Sequence, residues 1–106
     1  MEVGRKHTRS NTRLRAQCIP EDSKKGLWEE CTIINISRKG LGVKFHTRVF
    51  FTIGSTINLK IFIPNKKTSM NVKGILKWTG GRRDLFVGGI EFLENMDKIT
   101  LEKLCS

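Results

Sequence analysis

From Thr12 onward the chain alternates apolar and polar residues with a period of two, the mark of strands that bury one face. Thr12, Leu14, Ala16 and Cys18 alternate with Arg13, Arg15 and Gln17 and predict a first strand. A polar connection runs from Pro20 to Gly26. Leu27 to Ile36 reads as a second strand, β-branched toward its end at Thr32, Ile33, Ile34 and Ile36. After Ser37-Arg38-Lys39-Gly40, a third strand sets Leu41, Val43 and Phe45 on one face and Lys44 and His46 on the other. Gly54-Ser55 opens a fourth, with Ile57, Leu59, Ile61 and Ile63 inward and Asn58 and Lys60 outward. Beyond a turn at Pro64-Asn65-Lys66-Lys67, a fifth strand has Val72, Leu76 and Trp78 on its inner side and Lys73 and Lys77 on its outer side. Gly80-Gly81 predicts the next turn, and residues 84–92 the sixth strand. Asn95 is placed to cap a short helix whose Met96, Ile99, Leu101 and Leu104 would lie against the strands.

Six short strands separated by turn signals predict an all-β fold. The expected form is an antiparallel barrel or sandwich with a short C-terminal helix, not a parallel α/β sheet. A length of 106 residues suits one domain with one core. Residues 1–11 lack apolar periodicity, so a flexible basic arm is expected ahead of a barrel domain spanning 12–106.

Lys and Arg total 20 against 10 Asp and Glu, a formal charge of +10. Such an excess favours anionic partners: nucleic acid, nucleotides, or an acidic protein or lipid surface. No run approaches the roughly 20 apolar residues that cross a bilayer, and the basic, polar start does not resemble a secretion signal, so a cytoplasmic location without a membrane span is expected. Cys18, Cys31 and Cys105 are widely spaced, with only His7 and His46 as further soft donors, which argues against a metal site. The acids at Glu29-Glu30, Glu91, Glu94 and Asp97 show no spacing suited to acid–base catalysis. Neither an enzyme nor a resident cofactor is expected.

Two short motifs carry candidate chemistry. Arg5-Lys6-His7-Thr8-Arg9 is an R-x-x-x-R within the arm, and Asn35-Ile36-Ser37-Arg38-Lys39-Gly40 is an N-x-S-x-x-G on the turn between the second and third strands. Each has an ordinary reading alone. Arginine-rich stretches produce the first by chance, and Arg9 to Arg13 is a second copy, set aside because Arg13 falls on the outward face of the first strand. The second also describes a hairpin turn, with Asn and Ser bonded to local backbone and Gly at positive φ.

In this order, with 25 residues between them, the two motifs closely resemble the PilZ domain family, whose pattern is R-x-x-x-R followed by D/N-x-S-x-x-G. Gly40-Leu41-Gly42-Val43, Gly54-Ser55, the GILKW run from Gly74 to Trp78 and the VGGIEF run from Val87 to Phe92 extend the likeness over residues 5–92. The resemblance implies an all-β fold, a six-stranded antiparallel, Greek-key-like split β-barrel with a short C-terminal helix, that binds the bacterial second messenger cyclic di-GMP and relays its presence to a downstream effector protein. Matched by position, Arg5, Arg9, Asn35, Ser37 and Gly40 are the implied ligand residues, with Lys6, Arg38, Lys39 and Trp78 as secondary contacts. Gly4 stands where the family has an arginine that favours a stacked ligand pair, which implies one ligand per domain.

The chemistry of these residues suits that ligand. Arginine offers a permanent charge for phosphate, a flat face for stacking and a fork that matches guanine O6 and N7. Arginines four apart lie roughly 13 Å apart on an extended arm, or about 6 Å apart on one helical turn, so a pliant arm can bring both onto one compact dinucleotide. Asn35 offers a carbonyl to guanine N1–H and N2–H, Ser37 a hydroxyl, and Gly40 a positive φ and close backbone approach. Trp78 and Phe92 weigh more as core residues than as stacking platforms. Two rival readings remain. One is a degenerate PilZ domain acting only through protein contacts. The other is a small basic barrel for nucleic acid, disfavoured by the lack of Tyr and by Phe62 being the clear outward aromatic.

Overall fold

The computed structural model describes residues 10–47, 51–83 and 85–105, with Ser10 and Asn11 described by backbone alone. Six strands and a helix follow one another as β1 (Ser10–Pro20), β2 (Glu29–Ile36), β3 (Gly40–Phe45), β4 (Thr56–Phe62), β5 (Ser69–Arg82), β6 (Leu85–Phe92) and α1 (Lys98–Cys105). All neighbouring strands are antiparallel and close a barrel in the order β1-β2-β3-β6-β5-β4. Joining β3 to β6 instead of β4 makes the Greek-key crossover. Among the described residues, no helix is long and apolar enough to cross a membrane.

The two-residue alternation produces the interior directly. Leu14, Ala16 and Cys18 of β1 point inward with Leu41, Val43 and Phe45 of β3 and Ile57, Leu59 and Ile61 of β4. Phe92 of β6 joins them, and Phe51 meets Phe45 edge to face, with ring centroids 5.6 Å apart. Met96, just before α1, and Leu104 of α1 are buried in the same core. The cap of α1 is Asp97, not Asn95: its carboxylate accepts from the Thr100 N–H at 2.7 Å and the Thr100 hydroxyl at 3.0 Å. These bonds, the backbone one foremost, hold the Asp97 carboxyl below its ordinary value of 3.8. The shift of the helix start also rotates Ile99 outward, where it is 68% exposed.

Three further positions depart from simple alternation. Leu27 and Trp28 stay outside the second strand, which begins at Glu29. The Gly80-Gly81 pair lies within the β5–β6 ladder, opposite Val87 and Phe86, and the chain reverses after Arg82↔Leu85. Arg83, at φ 48°, supplies the left-handed residue that such a two-residue hairpin needs. Trp78 belongs to the outer surface, not the interior, because β5 and β6 slip register by one residue between Leu76 and Trp78.

Candidate functional site

Two β-bulges build the outer surface of interest. In β2, Cys31 and Ile33 point inward, so strict alternation would drive Asn35 into the apolar interior. The register shift between Ile33 and Asn35 inserts Ile34, sets Asn35 opposite Gly42 and returns Ile36 to full burial. In β5 the same device works at Lys77. Leu76 faces Ile90 inside, whereas Trp78 comes to lie opposite Gly89. Gly42 and Gly89 are themselves cross-strand partners. One row across the barrel thus reads Asn35, Gly42, Gly89, Trp78, three strand intervals or about 14 Å wide.

The two glycines make a floor on which the flanking side chains rest. A Cβ at Gly42 would sit 2.7 Å from the Asn35 amide nitrogen, and one at Gly89 only 2.0 Å from the Trp78 Nε1. No residue with a side chain leaves both the amide and the indole where they are. Trp78 keeps 46% of its surface exposed. Beside it lies a cavity of about 320 Å³ lined by Lys39, Gly40, Lys77, Trp78, Gly89, Ile90 and Glu91. Larger hollows occur elsewhere, but this one gathers three of the sequence-derived residues.

The turn that follows β2 is tightly built. The Ser37 N–H donates to the Gly40 carbonyl at 2.8 Å. The Ser37 hydroxyl, 4% exposed, donates to the same carbonyl at 3.4 Å and accepts from the Lys39 N–H at 3.3 Å. Serine here therefore shapes the turn, through bonds long enough to be given up easily. Arg38 is drawn away by the segment leading into α1: its Nε donates to the Met96 carbonyl at 2.9 Å while its own carbonyl accepts from the Met96 N–H at 2.7 Å. Lys39 is exposed and faces the cavity. Gly40 differs from expectation. It is not among the positive-φ residues; glycine is required because a Cβ would lie 2.3 Å from the Ile90 carbonyl oxygen on the neighbouring strand.

Arg5, Lys6 and Arg9 lie outside the described residues. Their chain continues into Ser10, however, and Ser10 is the register partner of Ile36, with Asn11 opposite Asn35. The first strand thus begins beside the Asn35–Gly40 motif. The structure brings Asn35, Gly40, Lys39 and Trp78 to one surface, whereas Ser37 and Arg38 turn to structural bonds at its edge. Sequence reasoning missed Gly42 and Gly89 as the floor and Lys77 and Glu91 as rim charges. The signal was present: small residues at outward positions of GLGV and VGGIEF leave a depression where strands normally carry side chains.

A comparison with curated proteins finds no match. Among solved structures, the inhibitor of motility MotI/DgrA of Bacillus subtilis superposes with a TM-score of 0.70 at 18% identity, covering 94% of this chain and 47% of that one. The chain thus spans about half the length of that relative. The PilZ domain of YcgR from Escherichia coli, solved with c-di-GMP, gives a TM-score of 0.72 at 12% identity, covering 95% of this chain and 86% of that one. At such identities the likeness speaks for the barrel alone. The PilZ domain family model matches residues 4–105, nearly the whole length, and this chain belongs to the PilZ domain family.

Proposed function

We propose that the domain binds cyclic di-GMP on the row Asn35–Gly42–Gly89–Trp78, and that binding folds the arm over the ligand and presents a changed surface to an effector protein. The reading rests most on one observation, the pairing of Ser10 with Ile36, which starts the arm beside the second motif. Arg5 is five residues from Ser10, so its Cα can reach at most about 17 Å, enough to cross the glycine floor. The flat floor admits a purine, Trp78 offers a ring face at one end, and Asn35 offers an amide at the other. Arg5 and Arg9 supply charge for phosphates and forks for guanine, while Lys6, Lys39 and Lys77 raise the local positive potential. The YcgR domain, which shares the barrel, was solved with this ligand.

The domain acts by binding and not by catalysis. Ordering the arm costs entropy of about 1–2 kcal/mol per residue, which sets the affinity below what the contacts alone would give. Gly4 before the motif favours one ligand per domain. Calorimetry of the domain with cyclic di-GMP tests the proposal: binding at micromolar or tighter affinity that disappears in both Arg5→Ala and Arg9→Ala is expected. Silence of the wild type at physiological salt would defeat it. A second reading, a domain that works only through protein contacts, draws on the engagement of Ser37 and Arg38 in structural bonds; the same titration separates the two.

A further inference from the structure

A second surface lies on the other side of β1. Its pairing with β4 begins only at Ala16↔Ile61, whereas its pairing with β2 starts at Ser10. Among the described residues, the segment 10–15 therefore has a strand on one side and none on the other, leaving backbone groups along an open edge. Facing this edge is the β4–β5 turn, and between them sits a cavity of about 450 Å³. Its lining carries Arg13, Arg15, Lys66 and Lys67 and no acid. Among the described residues no carboxylate pairs with these four, whereas Lys73 is bridged to Glu21 at 2.9 Å.

Chemistry chooses among the anions that would fit. Single-stranded nucleic acid needs free aromatic faces for its bases. Phe62, the aromatic of this groove, is already covered by the Arg15 guanidinium, 5.2 Å from the ring centroid. An extended polypeptide instead uses what the groove has: N–H and C=O groups for an open strand edge, and carboxylates for the cations. The chain's own arm carries Arg5, Lys6 and Arg9 and is repelled by the same charges.

We propose that the groove between the β1 edge and the β4–β5 turn docks an acidic, extended segment of a partner protein by strand addition. The site is separate from the glycine floor and does not depend on the ligand proposal. Its test uses a fluorescein-labelled short peptide of alternating glutamate and threonine, with a lysine–threonine peptide and a thymidine oligonucleotide as comparisons. The glutamate peptide should bind at low salt and shift the amides of 11–15 and 62–67, and the lysine peptide should not bind. Reversing the exposed turn with Lys66→Glu and Lys67→Glu together should weaken peptide binding about tenfold. Circular dichroism should show that variant folded, and its cyclic di-GMP titration should match the wild type. Absence of peptide binding, an unaltered affinity in the variant, or tighter binding of the oligonucleotide than of the peptide would each overturn the proposal.

Discussion

Replacing Gly89 by alanine introduces a methyl group where the Trp78 indole now lies. The new Cβ would stand 2.0 Å from the ring nitrogen and 2.5 Å from Cε2, against an ordinary contact of roughly 3.5–4.0 Å. Both strands are held by ladder pairs on either side, so the side chain yields and the indole lifts by about 1.5–2 Å, the shortfall in that contact. About half of its surface is against the sheet. Detaching it forfeits on the order of 100 Å² of apolar contact, or about 2.5 kcal/mol, of which the buried methyl returns about 0.8 kcal/mol. A net destabilisation of about 1–2 kcal/mol should appear in urea unfolding. Losing the stacking face should cost a further 1–3 kcal/mol of ligand binding, roughly a 5- to 150-fold rise in Kd for cyclic di-GMP. Tryptophan emission, read in a Trp28→Phe background, should shift to the red as the ring enters water. An alanine variant with wild-type affinity and an unaltered spectrum would refute the idea that a glycine floor seats Trp78 for the ligand.

Other expected outcomes concern the scaffold. Gly40→Ala forces a Cβ against backbone on β6, which cannot swing aside, and should cost about 3 kcal/mol in chemical denaturation. Arg38→Ala removes the bond to the Met96 carbonyl and should lower stability by about 1.5 kcal/mol, with the amide exchange of α1 accelerated first. Because the folded-state pKa of Asp97 is depressed, its contribution is complete above the ordinary 3.8 and drains away as pH falls through the lower folded value. Acid titration followed by amide shifts should therefore show α1 fraying below about pH 4, and Asp97→Asn should remove that step. Cys105 is exposed, whereas Cys18 is buried and hydrogen-bonded to Cys31, which with burial pushes its thiol well above the usual range. Alkylation at mild alkaline pH should label Cys105 quickly, with Cys18 and Cys31 reacting only at the rate of global unfolding.

The barrel was legible because its interior obeys alternation strand by strand: Leu41, Val43 and Phe45 needed nothing but a period of two to be placed inside. Trp78 was misplaced by that same rule. Counting by twos from Leu76 puts the indole in the core, and only the slip at Lys77, invisible in residue types, turns it outward. Asn35 was assigned by motif, and the slip at Ile34 is what makes that assignment physically possible. The positive φ expected at Gly40 is not adopted, and glycine is needed there by contact with β6, a property of topology and not of the local turn. The Gly80-Gly81 pair misled because glycines mark turns on average, while here the hairpin was long enough to carry its bend to Arg83. Arg38 could not be read as a tether to Met96 without knowing where α1 returns.

The extra residues at Ile34 and Lys77 have a consequence for descent. Each works by arithmetic and not by its own chemistry. A relative that kept every letter of both signatures but dropped one amino acid from either strand would carry an amide or an indole in its oily centre, and a bare platform outside. The shape of this surface is thus written as much in the spacing between the motif letters as in the letters themselves.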